Sequence, residues 1–391
     1  MKIDTRLAER LKKINPSSTL AITSKAKKLK SSGKDIVNFA AGEPDFDTPD
    51  FIKEAAISAI QSGFTKYTPT TGTAELKKLI CQKFKKDNSL EYAPDQIIVS
   101  CGAKHSIYNA LMVLLNRADE VLIPLPYWVS YPEMVSLCEA TPRFIKTTAS
   151  NNFKITIKDL AKHITTKTKV LILNSPSNPA GSVYSKEELF QIAKICVDKN
   201  IFVISDEIYE KIIYDGLKHE SIASFNKDIY DLTITVNGLS KSHSMTGWRI
   251  GYLGAPSDVA SAISNLQDHS TSNPNSIAQK AAEAALNASD DFSKKLCQEF
   301  SKRRDYLASR VKEIKELDFC LPQGAFYMFC NISKTGLDSM TFAKRLLEEE
   351  YVSLIPGGAF GLDNYIRISF ATNISELQKG MDRIGKWVAK L

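Results

Sequence analysis

Short apolar runs alternate with amphipathic stretches through most of this chain. Runs at 96–100, 120–123, 169–173, 201–205 and 233–237 are apolar almost throughout, as in Val170-Leu171-Ile172-Leu173. A strand covered on both faces needs that pattern. Between them, 104–115, 130–139 and 185–199 carry apolar residues at helical spacing. Strand and helix in alternation predict an α/β fold with a mainly parallel central sheet and helices on both faces.

The pattern changes after about residue 275. Long helical stretches at 277–287 and 289–314 are followed by short strands at 325–331 and 365–370 and a last helix at 375–388. This predicts a large domain over 48–290. A smaller α+β domain is expected to combine the N-terminal segment 1–47 with 291–391.

In open α/β sheets ligands bind beyond the carboxyl ends of the strands. Four polar clusters stand at such ends: Ser100-Cys101-Gly102-Ala103-Lys104, Asn174-Ser175-Pro176-Ser177-Asn178-Pro179, Asp206-Glu207-Ile208-Tyr209, and Ser240-Lys241. Packing alone does not call for four of them.

Composition narrows the choices. The chain has 391 residues, 43% apolar and 24% charged, as in an ordinary soluble globular protein. Seven scattered cysteines without a CxxC pair predict reduced thiols and a cytoplasmic setting. Five isolated histidines offer no metal spacing, so no metal is expected. The charged N-terminus lacks an apolar signal core, and no run has the length of a membrane span. A net charge of +7, spread along the chain, argues against nucleic acid and fits small anionic substrates.

The stretch Ser240-Lys241-Ser242-His243-Ser244-Met245-Thr246-Gly247-Trp248-Arg249-Ile250-Gly251 says most about chemistry. A lysine between two strand-like runs can form a Schiff base with an aldehyde. Nearby hydroxyls and the Arg249 guanidinium can hold a phosphate dianion. Pyridoxal phosphate (PLP) carries both groups. Gly102-Ala103-Lys104 reads as a phosphate seat at a helix N-terminus or as a plain strand-to-helix turn. Asp206 could cap a helix or bind a metal. Trp128 could be core. Arg367, in mid-strand, either faces solvent or forks a carboxylate.

Taken together these motifs resemble the class I aminotransferases, fold-type I PLP enzymes, over essentially the whole chain. Within them the bacterial Iβ aspartate aminotransferases match best. The resemblance implies the following roles. Lys241 carries the cofactor and is the catalytic base. Gly102, Ala103, Lys104, Ser240 and Arg249 form the phosphate cradle, and Tyr67, in Lys66-Tyr67-Thr68-Pro69, reaches the phosphate of a neighbouring subunit. Asp206 pairs with the pyridine nitrogen, Tyr209 and Asn178 hydrogen-bond the ring hydroxyl, and Trp128 stacks on the ring. Arg367 binds the substrate α-carboxylate. Gly42, in Ala41-Gly42-Glu43-Pro44-Asp45-Phe46, lets backbone approach the substrate, and Trp128 and Asn178 border it. Thr19 and Lys104 bind a distal carboxylate.

The implied protein is a cytoplasmic homodimer acting on amino acids and 2-oxo acids, chiefly L-aspartate and 2-oxoglutarate. The alternatives are a broader aromatic or prephenate aminotransferase and a PLP β-lyase on the same fold. Asn15 stands where prephenate users carry a basic residue, which implies weak or no use of prephenate. Two departures from the family pattern are His105 and His269, and the latter, in an expected active-site loop, bears on substrate preference. A dinucleotide oxidoreductase would need a G-x-G-x-x-G after its first strand, and the chain has none.

Overall fold

A computed structural model describes residues 6–14 and 18–391, with the side chains of 18–21 outside that description. Its main feature is a seven-stranded sheet. Across it the order is Ile97–Ser100, Gly251–Gly254, Thr233–Gly238, Phe202–Asp206, Thr168–Asn174, Glu120–Pro124 and Thr141–Ile145. Gly251–Gly254 runs antiparallel to both neighbours, and the other six strands share one direction. The five apolar runs at 96–100, 120–123, 169–173, 201–205 and 233–237 all become strands within a residue or so of their expected bounds. The edge strand Thr141–Ile145 has no such signal. Its TPRFI sequence is half exposed and carries Pro142 and Arg143, both of which an edge tolerates.

Helices cover both faces. On one, Ile107, Leu111 and Val135 pack over Val121, Ile172 and Ile234. On the other, Leu189, Ile192 and Cys196 pack over Leu122, Leu171 and Val203. Alternate residues of one strand thus enter opposite cores, which is why the runs are apolar without a break. The helix Lys186–Asp198 starts at a capping box, Ser185 with Glu188. The helix Ala103–Leu114 starts at Gly102, whose φ is +93°.

A four-stranded antiparallel sheet, ordered Ile355–Pro356, Tyr365–Ser369, Tyr327–Asn331, Asp318–Phe319, forms the smaller α+β layer. The helices Asp291–Lys312, Ser339–Glu349 and Ile374–Val388 share its core through Leu307, Phe342 and Met381. The N-terminal segment reaches it: Val37–Asn38 pairs in parallel with Val352–Ser353, and Ser369 N–H donates to the Phe39 carbonyl at 2.9 Å.

Two sequence expectations need correction. Tyr209 does not sit one helical turn after Asp206, because residues 208–211 form an irregular turn. His269 is not in a loop. It lies in the last turn of the helix Ser257–Ser270, exposed, while Val259, Ala260 and Ile263 face the core.

Candidate active site

The polar strand ends meet in a cavity of about 620 Å³ between the two sheets. Of the residues singled out from sequence, Gly42, Ala103, Lys104, Trp128, Asn178, Asp206, Tyr209, Ser240, Lys241, Arg249 and Arg367 line it. Gly102 adjoins it, beside Arg249. Tyr67 does not line it and is 90% exposed. Thr19 lies in the first helix, but its side chain falls outside the described residues, as does Asn15. His105 accepts a hydrogen bond from the Cys101 N–H and, like His269, is absent from the lining.

Lys241 follows the strand Thr233–Gly238, and its Nζ donates to the Gly42 carbonyl at 2.6 Å. Burial disfavours the ammonium and brings its pKa down to about 8, against the pull of Glu43. Asp206 ends the strand Phe202–Asp206 at the floor. Its carboxylate accepts from Tyr131 Oη at 2.6 Å and from the Ile208 N–H at 3.3 Å. Burial pushes its pKa up to about 6, partly offset by those bonds. Tyr209 Oη shares a hydrogen bond with Tyr327 Oη at 2.9 Å.

Arg367 is buried beneath aromatic rings, its guanidinium 4.2 Å from the Tyr327 centroid and 5.2 Å from that of Phe360. It donates to Asn178 Oδ1 at 3.1 Å and to the Ala40 carbonyl at 3.0 Å, while its Nε has no partner. Lys104 Nζ lies 4.8 Å from the centroid of the Trp128 ring. Burial and then Arg249 lower its pKa.

Arg249 has φ of 56°, a left-handed conformation that non-glycine residues seldom adopt. Strain of this kind gathers at functional sites. Its guanidinium donates to the carbonyls of Thr246, at 3.0 Å, and Cys101, at 3.3 Å. A Cβ on Gly102 would stand 2.7 Å from Arg249 Nη2, and one on Gly251 would stand 2.1 Å from the Ala103 nitrogen. Only glycines let these segments close. At Gly42 a Cβ would meet nothing nearer than Tyr327 Oη, at 3.7 Å. The protein alone therefore does not demand glycine there.

Sequence reasoning missed several groups that complete the site. Tyr131 holds Asp206. The Asn174 amide bridges two clusters, donating to the Asp206 carbonyl at 3.0 Å and accepting from the Asn178 N–H at 2.8 Å. Tyr327 joins Tyr209 to Arg367. Glu43 accepts from Thr246 Oγ1 at 2.7 Å and pulls on the Lys241 charge. Of these, Asn174 and Glu43 stand inside stretches already marked out, beside Asn178 and Gly42, whereas Tyr131 and Tyr327 resemble ordinary core aromatics.

The donor set suits PLP. One end of the cavity offers the N–H groups of Ala103 and Lys104, the Ser240 hydroxyl and the Arg249 guanidinium, a fit for a phosphate. The other end offers the buried Asp206 carboxylate, with an amine between. The model of the family "Aminotransferase class I and II" matches residues 34–384. The chain belongs to that family.

Class I aminotransferases use PLP, and this family has the fold-type I architecture seen here. The chain is 48% identical to the aspartate aminotransferase of Bacillus sp. (strain YM-2) over 387 residues, covering 98% of this chain and 99% of the relative. It is 44% identical to the aspartate/prephenate aminotransferase of Nitrosomonas europaea over 391 residues, covering 97% and 98%. The solved aspartate aminotransferase of Rhizobium meliloti superposes with a TM-score of 0.95 at 40% identity, over 99% of this chain and 100% of that one. That of Thermus thermophilus, solved with maleate, gives 0.94 at 38%, over 98% and 100%.

Proposed function

We propose that this enzyme transfers the amino group of L-aspartate to 2-oxoglutarate, giving oxaloacetate and L-glutamate. The observation that carries the reading is the meeting of Lys241, Asp206, Arg367 and Lys104 at one cavity. The names of the most similar relatives support it. So does maleate, a dicarboxylate, in the Thermus thermophilus relative.

PLP, when bound, supplies a carbonyl carbon that takes the amino group and a ring that accepts electrons. Ala103, Ser240 and Arg249 would hold its phosphate, with Gly102 making room. Asp206 would face the ring nitrogen, Tyr209 and Asn178 the ring hydroxyl, and Trp128 the ring face. Asp206, with a pKa near 6, is ionised at neutral pH and can hold an N–H⁺ group.

Arg367 grips the substrate α-carboxylate through two parallel N–H donors, and its aromatic cover keeps water away. Lys104, with Thr19, takes the distal carboxylate. Lys241 Nζ would act as general base, taking the substrate α-proton and holding it within the cavity for its return. A pKa of about 8 leaves some of the amine neutral at pH 7 and most of it neutral above pH 8.

The same reading makes the working unit a cytoplasmic homodimer in which Tyr67 reaches the phosphate held by the neighbouring subunit. Its near-complete exposure and the seven free cysteines support this. Among the described residues no helix is long and apolar enough to cross a membrane. The reading also divides the chain into a large PLP-binding domain, 48–290, and a small one, 1–47 with 291–391. A second reading adds prephenate as acceptor, because relatives at 44% and 47% identity carry aspartate/prephenate names.

A spectrophotometric screen of amino acids against 2-oxoglutarate tests the proposal. Aspartate should be used fastest. A protein that turned over alanine or tyrosine faster than aspartate would contradict the assignment.

A further inference from the structure

A second buried cluster lies directly behind the floor of the cavity. In the turn that follows Phe202–Asp206, Asp206 and Tyr209 line the cavity, whereas Glu207 and Glu210 do not. The two glutamates bind residues of the helix Ala74–Asn88 and of the segment 219–221. Glu207 is 1% exposed, yet its carboxylate is fully occupied. Oε1 accepts from Ser205 Oγ and Ser221 Oγ, each at 2.8 Å. Oε2 accepts from Asn88 Nδ2 at 2.9 Å and faces His219 Nε2 at 2.8 Å.

Asn88 closes a ring. Its Nδ2 also donates to Glu210 Oε2 at 2.8 Å, and its Oδ1 accepts from Lys83 Nζ at 2.7 Å. Lys83 in turn forms an ion pair with Glu210. A buried carboxylate without partners is very costly, so a fold keeps two only when every oxygen is satisfied. Burial opposes a charge on His219, but Glu207 outweighs it and raises its pKa. Burial likewise opposes the Glu210 charge, and Lys83 followed by His219 outweighs it.

Two uses for such a cluster can be compared. Glu207, Glu210 and His219 have ligand atoms within 4.8 Å of one another, near enough for a metal ion. However, N–H and O–H donors fill the Glu207 lone pairs and the Lys83 ammonium sits against Glu210, which leaves no place for a cation. The other use concerns the turn. Residues 208–211 have no helical ladder, and their backbone is held by few bonds. These are Glu207 N–H to the Val236 carbonyl at 2.9 Å, Ile208 N–H to Asp206 Oδ1 at 3.3 Å, Glu210 N–H to the Glu207 carbonyl at 2.9 Å, and Ile212 N–H to that of Tyr209 at 2.8 Å. Tyr209 stands between two glutamates that are anchored from outside the turn.

We propose that Glu207 and His219 are positioning residues which, with Lys83, Asn88 and Glu210, hold this turn so that Asp206 and Tyr209 meet the cofactor ring in register. The proposal rests on the functional reading above, because it requires those two residues to contact the cofactor.

The test compares the holoenzymes of His219→Leu and His219→Gln with wild type. Leucine removes the donor to Glu207, and a glutamine amide can restore one. The readouts are the rate of PLP release, followed by the visible band, kcat and KM for aspartate, and the melting temperature. In His219→Leu, PLP release should be roughly tenfold faster and kcat roughly tenfold lower. KM for aspartate should stay within about twofold, because Arg367 and Lys104 stand on other elements. His219→Gln should recover most of both losses.

Wild-type release and kcat in His219→Leu, even with a lowered melting temperature, would overturn the proposal. If that variant cannot be purified, Ser221→Ala removes one Glu207 donor. A roughly threefold change in release and kcat is then expected, and wild-type values would again overturn it. A wild-type protein with no visible band would sink the functional reading and this inference together. A yellow, active wild type beside unaltered variants would sink this inference alone.

Discussion

The floor and the rim of the active-site cavity are built on opposite principles. At the floor, Asp206 and Tyr209 are buried, each bound to another tyrosine, with a closed ring of ion pairs and hydrogen bonds behind them. At the rim, Lys104, Arg249, Lys241 and Arg367 converge, and among the described residues none forms a salt bridge with a carboxylate. Glu43, and after it Asp206, offers a nearby counter-charge to Lys241. Buried, satisfied polar groups are rigid, and a floor of this kind suits a ring that stays. Unpaired cations are held apart from one another at a cost, and they suit anionic groups that come and go.

The comparison orders the expected effects of substitution. The largest is at Arg367, the most deeply buried rim cation. Every amino acid substrate has an α-carboxylate, so Arg367→Ala should lower kcat/KM for all of them by roughly 10²- to 10³-fold. Steady-state kinetics with aspartate and alanine would check this, and a loss confined to aspartate would reverse the assignment. At Lys104 the effect should be selective. Lys104→Ala removes a charged partner worth roughly 2–4 kcal/mol to dicarboxylates, while alanine should be nearly unaffected. Equal losses for aspartate and alanine would make Lys104 a phosphate or structural residue.

The floor should respond more mildly and without selectivity. Tyr131→Phe removes one bond to Asp206 and leaves the ring in place. It should lower kcat by roughly three- to tenfold for every substrate, with a shifted pH midpoint of the visible band. The smallest effect on the aspartate reaction belongs to Asn15→Lys. It should leave aspartate turnover unchanged and raise that of prephenate. Wild-type protein that used prephenate as readily as oxaloacetate would refute the reading of Asn15.

The rim was legible in the sequence and much of the floor was not. Lys241, Arg249 and Lys104 are charges beside small residues at strand ends, where a solvated lysine or arginine has less reason to be. Arg367 stands in mid-strand. Asp206 was legible for the same positional reason. Its partners were not, because Tyr131 lies 75 residues away in the chain and a lone tyrosine resembles any core aromatic. Tyr327 and Asn88 act through contacts that exist only after folding. The apolar runs predicted six of the seven strands of the large sheet, the short run Gly251–Gly254 after Arg249 among them, but they carry no information about direction, and so its antiparallel course emerged only from the structure. Sequence alone does not mark Glu207 and Glu210 as buried, since buried glutamates are exceptional without partners that only the fold supplies.

Lys241 as the point of cofactor attachment is the central claim, and borohydride reduction of the purified holoenzyme tests it most directly. The protein should be yellow, its visible band should respond to aspartate, and reduction followed by peptide mapping should find the pyridoxyl group on the peptide containing Lys241 and on no other. A pyridoxyl group on a different lysine, or on none, would contradict the account.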